Sequence, residues 1–149
     1  MIAAAFIAVL ILVAVAATAL SQCSTEAAPP LESDNLPELE QLKPQGEGWS
    51  EGEASAYNRE TNDGWDATAS GIPLDDDTPT VAVPQENRDL LSATVEIFYA
   101  GKTVTAKVTD TGALGPLGRM LDLSPAVWRA FGASSLSDWG VRTVYYRFV

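Results

Sequence analysis

Asp110 is the residue of this sequence best placed to do chemistry. An apolar-alternating run, Thr103-Val-Thr-Ala-Lys-Val108, leads into it, and Thr111 and Gly112 open a Gly- and Pro-rich loop beyond it. A carboxylate presented where a strand gives way to a loop is a common position for a reacting group. Partly desolvated among Leu114 and Leu117, it could serve as a general acid. The same residue fits a second role, since Asp ahead of Thr-Gly readily holds a turn by bonding the backbone two residues on. Both readings stay open. Asp122, just before Leu123-Ser-Pro125, reads as structural, with Arg119 as its ion-pair partner.

The rest of the inventory is informative by what it lacks. The 149 residues include no histidine and a single cysteine, Cys23. Ser–His and Cys–His nucleophilic catalysis therefore have no base, and the usual imidazole-ligated zinc sites cannot form. No Gly-Lys-Ser/Thr phosphate loop occurs, which argues against nucleotide hydrolysis. Carboxylates must move any protons, and neither a metal nor an organic cofactor is expected. Tyr57 and Trp65, with Asp66 beside them, are aromatic and acidic groups that could meet a sugar ring. A lone cysteine also rules out an internal disulfide framework.

The elements that must position Asp110 read mainly as short strands. Ala54–Tyr57, Thr80–Val83 (ended by Pro84) and a terminal run from Val141 to Val149 are three of them. The clearest signal is a hairpin, Thr94–Tyr99 and Thr103–Val108 about Ala100-Gly101-Lys102, with Val95, Ile97 and Tyr99 on one face. Gln85 to Leu91 has room for a helical turn or two. Ser124 fits a helix N-cap, Pro125 the first helical position and Gly132 the stop, with Val127, Trp128 and Phe131 as a core stripe. Gly115 and Gly118 suit a tight loop. Many short strands with little helix predict a small β-barrel.

Upstream, Met1 to Leu20 carries no charge and is about long enough to span a bilayer as a helix. Residues 1–22 are thus either a retained transmembrane anchor or, with Cys23 as the lipidated residue, a lipoprotein signal. Residues 23–51, acidic and rich in proline, read as a disordered tether, and residues 52–149 as the folded domain. The formal net charge of −11 argues against nucleic acid as a partner.

The order of several motifs carries a family resemblance. Gly52-Glu-Ala-Ser-Ala-Tyr57, Thr68-Ala-Ser-Gly71, Val81-Ala-Val-Pro84, Val108-Thr-Asp-Thr-Gly112 and Gly118-Arg-Met-Leu-Asp-Leu-Ser124 together resemble the rare lipoprotein A family. The chain is also similar to the 3D domain and, more remotely, to expansins and membrane-bound lytic transglycosylase A. That resemblance implies a six-stranded double-psi β-barrel with one or two short helices, and binding or cleavage of peptidoglycan glycan strands. It places Asp110 at the essential acidic position and Asp122 at the second aspartate. The chain departs from the pattern where rare lipoprotein A enzymes carry a His, in the strand holding Val81 to Pro84. A lytic transglycosylase, which needs one carboxylic acid and no activated water, is the enzymatic form this leaves. The alternative is a non-catalytic wall-binding module. A membrane-anchored, extracytoplasmic protein is expected, with assembly into an envelope or virion complex as a further setting. Asp-Thr-Gly-Ala also resembles the signature of retroviral-type aspartic proteases, although only 39 residues follow Asp110.

Overall fold

The computed structural model describes residues 36–62 and 67–149. The expected anchor (1–22), Cys23, Trp65 and Asp66 lie outside the described residues. Among the described residues no helix is long and apolar enough to cross a membrane.

Six strands form: β1 (Ser50–Ala56), β2 (Thr80–Pro84), β3 (Thr94–Tyr99), β4 (Lys102–Gly112), β5 (Arg119–Leu123) and β6 (Arg142–Phe148). They pair in the closed order β1-β5-β2-β4-β3-β6. Two pairs are parallel, β1 with β5 and β2 with β4, and the others are antiparallel. This is the mainly β, closed six-stranded barrel that the sequence predicts. Among the described residues three short α-helices accompany it, α1 (Leu36–Glu40), α2 (Pro125–Ala130) and α3 (Leu136–Trp139), with 3-10 turns at Gln85–Leu90 and Gly115–Leu117.

The alternation read from the hairpin sets its inward face. Val95, Ile97 and Tyr99 on β3 and Ala106 and Val108 on β4 are buried. The turn is tighter than expected, because Ala100 and Gly101 alone connect the strands, at φ of 48° and 78°. Two consecutive left-handed residues match the twist of a hairpin, and glycine adopts that conformation without steric cost. β2 is buried at every position, the pattern of a strand covered on both faces. Its Val81 and Val83 join Leu121, Leu123, Val127 and Val144 in the core. Each such side chain contributes about 1.5–3 kcal/mol on burial.

α2 runs as predicted, with Val127 and Trp128 buried and Phe131 packed just beyond it. Ser124 holds the N-cap position, but its side chain makes no capping bond. Its hydroxyl accepts from the Thr80 amide at 3.0 Å and donates to the Thr78 carbonyl at 3.1 Å, tying the start of β2 to the end of β5. α3 was not foreseen; Ser135 caps it by accepting from the Asp138 amide, and Trp139 anchors it by donating to the Ala54 carbonyl at 3.1 Å.

From Leu36 on, the acidic segment packs on the barrel. Leu39 packs against the core, and the Glu40 carboxylate accepts from the Tyr99 hydroxyl and pairs with Arg142 at 3.4 Å. Trp49 meets Phe98 edge-on at 6.3 Å, with Arg147 stacked on its other side at 4.5 Å. Ordering of these residues is offset by contacts that their composition alone does not disclose.

Candidate functional site

A β-bulge decides where Asp110 points. Val81 pairs with Val108, but Ala82 pairs with Asp110, so Thr109 is an extra residue in β4. Strict alternation would put Asp110 on the inward face with Ala106 and Val108. The bulge instead buries Thr109, 2% exposed, and turns Asp110 outward. Asp110 is therefore not in a turn at a strand end, because β4 continues through Gly112. Its Oδ1 accepts from the Thr111 amide and from the Ala69 amide, both at 2.8 Å. The second bond reaches a loop remote in sequence. The Ser70 amide adds a bond to the Thr109 carbonyl at 2.9 Å. The turn-holding role read from the sequence becomes a loop-holding role. Of the two apolar residues expected around Asp110, Leu114 is buried, whereas Leu117 is 58% exposed.

Asp122 is set by the other parallel pair. That pair also carries a register shift, between Glu53 and Ala54, after which Ser55 stands opposite Asp122. The Ser55 hydroxyl donates to Asp122 Oδ1 at 2.8 Å. Ala82 is the shared neighbour, in register with Asp110 on one side and Asp122 on the other. The two aspartates thus stand about two strand spacings, roughly 10 Å, apart at the backbone.

Both carboxylates line one cavity of about 100 Å³, with Tyr57, Ala82 and Asn62. A wider cavity of about 410 Å³ adjoins it, sharing Asn62, Asp110 and Thr111 and adding Thr68, Ala69 and Gln85. Of the residues singled out from sequence, Asp110, Thr111, Gly112, Asp122 and Tyr57 meet at this cleft. Arg119 acts on Asp122 through space, and the hydrogen bond to that carboxylate comes from Ser55 rather than from Arg119. Asn62 and Gln85 had no signal of their own, and Ser55 and Thr68 entered only as members of the Gly52–Tyr57 and Thr68–Gly71 motifs, with no role read for either.

The two aspartates sit in unlike surroundings. Burial pushes the Asp122 carboxyl above its usual range, and the neighbouring Asp110 pushes the same way; the Ser55 bond and Arg119 oppose them. Burial also lifts the Tyr57 phenol to about 12, against the hydrogen bond it shares with Thr80, and Asp122, Asp110 and Asp76 add to the rise. Tyr57 is half-buried, its hydroxyl 3.0 Å from Thr80 Oγ1 and its carbonyl accepting from the Trp128 indole at 3.3 Å. It forms a wall of the cleft rather than a free stacking surface.

No family model matches this chain, and no curated protein matches its sequence. Solved structures do match its fold. A Streptomyces papain inhibitor is 25% identical with a TM-score of 0.51, covering 68% of this chain and 94% of its own. The apo expansin of Clavibacter michiganensis is 20% identical with a TM-score of 0.50, covering 68% of this chain. An aspartate-to-asparagine mutant of that expansin, in complex with cellohexaose, is 21% identical with a TM-score of 0.53. This chain spans 50% of the expansin's length. These likenesses place the barrel among expansin-like folds; no model of the rare lipoprotein A family matches.

Proposed function

We propose that the barrel is a cell-wall polysaccharide-binding module that seats a glycan strand in the cleft between Asp110 and Asp122. The observation that carries this is the pair of carboxylates flanking Ala82 in one open cavity. Support comes from a barrel of the same fold whose expansin counterpart is in complex with cellohexaose. Carboxylates, Asn62, Thr68 and Gln85 are groups that accept from and donate to sugar hydroxyls. The absence of histidine from the sequence suits binding without turnover.

One observation favours a second reading, cleavage of the glycan. Two carboxyls in one cleft, one of them raised by burial, suit an acid–base arrangement. Here Asp122, whose carboxyl burial pushes toward the protonated form, would protonate the glycosidic oxygen, and Asp110 would accept a proton. The sequence pointed to Asp110 for the first of these roles. Release of anhydro-muropeptides would mark a lytic transglycosylase on peptidoglycan, whereas new reducing ends would mark hydrolysis.

Incubating the full chain with purified sacculi and with cellulose separates the readings. Retention on either polymer with no soluble products supports the binding module. Products that disappear in Asp122→Asn establish cleavage, and no retention on either polymer overturns the proposal. The extracytoplasmic, membrane-anchored placement is proposed on the uncharged run before Leu20. Intact mass of the mature chain distinguishes a retained anchor from a lipid-modified Cys23.

A further inference from the structure

The charge of the cleft bears on which glycans it accepts, an inference that rests on the reading of the cleft as a glycan site. Asp110 and Asp122 line its inner cavity, and among the described residues neither cavity is lined by Lys or Arg. The other lining side chains with polar atoms, Tyr57, Asn62, Thr68, Gln85 and Thr111, are uncharged. A third carboxylate, Asp76, lies close enough to act on the Tyr57 hydroxyl along with the other two. Arg59, Arg119 and Arg129 lie nearby but outside the lining of both cavities, and Arg59 acts on Asp75. Arg119 acts on Asp122 from outside the cavity lining, and Arg129 is paired with Asp77 at 3.7 Å. The chain as a whole carries −11.

We infer that the cleft selects by charge, accepting glycans without carboxylates, favouring amine-bearing ones, and rejecting polyuronates. A uronate seated over Ala82 would bring its carboxylate beside Asp110 and Asp122 with no cation in the wall to meet it. Like charges brought together on binding in a partly desolvated site are repelled strongly enough to set specificity. An ammonium in the same place would be attracted by both carboxylates, while a neutral hydroxyl needs only the hydrogen-bonding groups. Within the protein, the hydrogen bonds to Asp110 and Asp122 all fall on Oδ1 of each carboxylate.

Three hexasaccharides test this by calorimetry on the full chain in detergent at about pH 6 and low salt, where carboxylates and most sugar amines are charged. Cellohexaose is the neutral probe, hexaglucosamine the cationic one and hexagalacturonate the anionic one. The expected order is hexaglucosamine tightest, then cellohexaose, with hexagalacturonate at least roughly tenfold weaker than cellohexaose. Raising NaCl to about 1 M should shrink these gaps in the unmodified chain, since the Debye length falls to about 3 Å. The double variant Asp110→Asn/Asp122→Asn should shrink them at low salt. Cellohexaose binding with equal or tighter binding of hexagalacturonate overturns the charge selection and leaves the binding module standing. Failure to bind any of the three, including on sacculi and cellulose, overturns both.

Discussion

Beside the hairpin turn, Tyr99, Phe131 and Trp139 meet ring to ring at 5.1–5.8 Å. Arg142 stacks on two of them at 5.3 and 5.2 Å. On the outer face over β2, Asp110 and Asp122 flank a cavity instead. Both regions hold charge against the barrel, but they treat it differently. Arg142 is answered from every direction: Glu40, the Trp139 carbonyl at 3.0 Å and the Asp138 carbonyl at 2.8 Å. Asp122 has one hydroxyl, from Ser55, and burial pushes its carboxyl above the usual range. The first arrangement serves stability. The second leaves a buried carboxyl with a single protein hydrogen bond, the kind of group that marks a candidate site.

The sharpest way to break this contrast is at Trp139, whose side chain is 2% exposed. Trp139→Ala should cost about 3–5 kcal/mol in urea unfolding, while the glycan affinity of the folded fraction stays within about twofold, the scatter expected of a distant site. Lost affinity would mean that the two regions are not separable.

A smaller effect is expected at Asp110, which holds the Ala69 loop. Asp110→Ala removes the acceptor of two amide bonds and should cost about 2–3 kcal/mol, at roughly 1–1.5 per bond. Hydrogen exchange at Ala69 and Thr111 should quicken. Asp110→Asn keeps an oxygen in place and should lose less than half as much. Equal losses from the two variants would show that charge, rather than the acceptor, fixes the loop.

At Asp122 the sign reverses. Its folded carboxyl binds a proton more tightly than the unfolded one, whose ordinary value is 3.8. Its contribution therefore favours folding below that value and is lost as pH rises through the raised folded value. Asparagine carries no such cost. Asp122→Asn should raise Tm at neutral pH by roughly 2–4 °C, the effect of about 1 kcal/mol in a chain of this size. The gain should fade as pH falls toward 3.8. Binding should weaken in the same variant, and a Tm that drops at neutral pH would remove the argument for an under-partnered carboxyl.

The least effect is expected at Glu40, which is 43% exposed. Glu40→Gln should cost less than about 1 kcal/mol. The Tyr99 phenol, raised to about 12 by burial first and by Glu40 second, should titrate at lower pH by absorbance, with glycan binding unchanged.

The hairpin was legible because its alternation is local and half-buried, and β2 because four apolar or β-branched residues precede a proline. Asp110 was legible as a candidate through its motif. Its orientation was not, because the bulge at Thr109 exists only in the pairing with β2. Asp122 was underread for a similar reason: its partner Ser55 lies 67 residues away, brought near by a parallel pairing that no local pattern specifies. The adjacent ion-pair candidate, Arg119, was the natural choice from sequence and gave way to that hydroxyl. Leu117 was expected to shield Asp110, yet the turn from Gly115 leaves it in solvent. α3 is four residues long, too short for periodicity to register.

Closure of the sheet has a last consequence. In the order β1-β5-β2-β4-β3-β6 each strand has a neighbour on both sides, so the barrel offers no open edge to which an extended chain could be added. Recruitment by strand addition is denied to it. A partner of the barrel would then be held by side chains and loop backbone, and a glycan in the proposed cleft over Ala82 could lie there without unfolding anything.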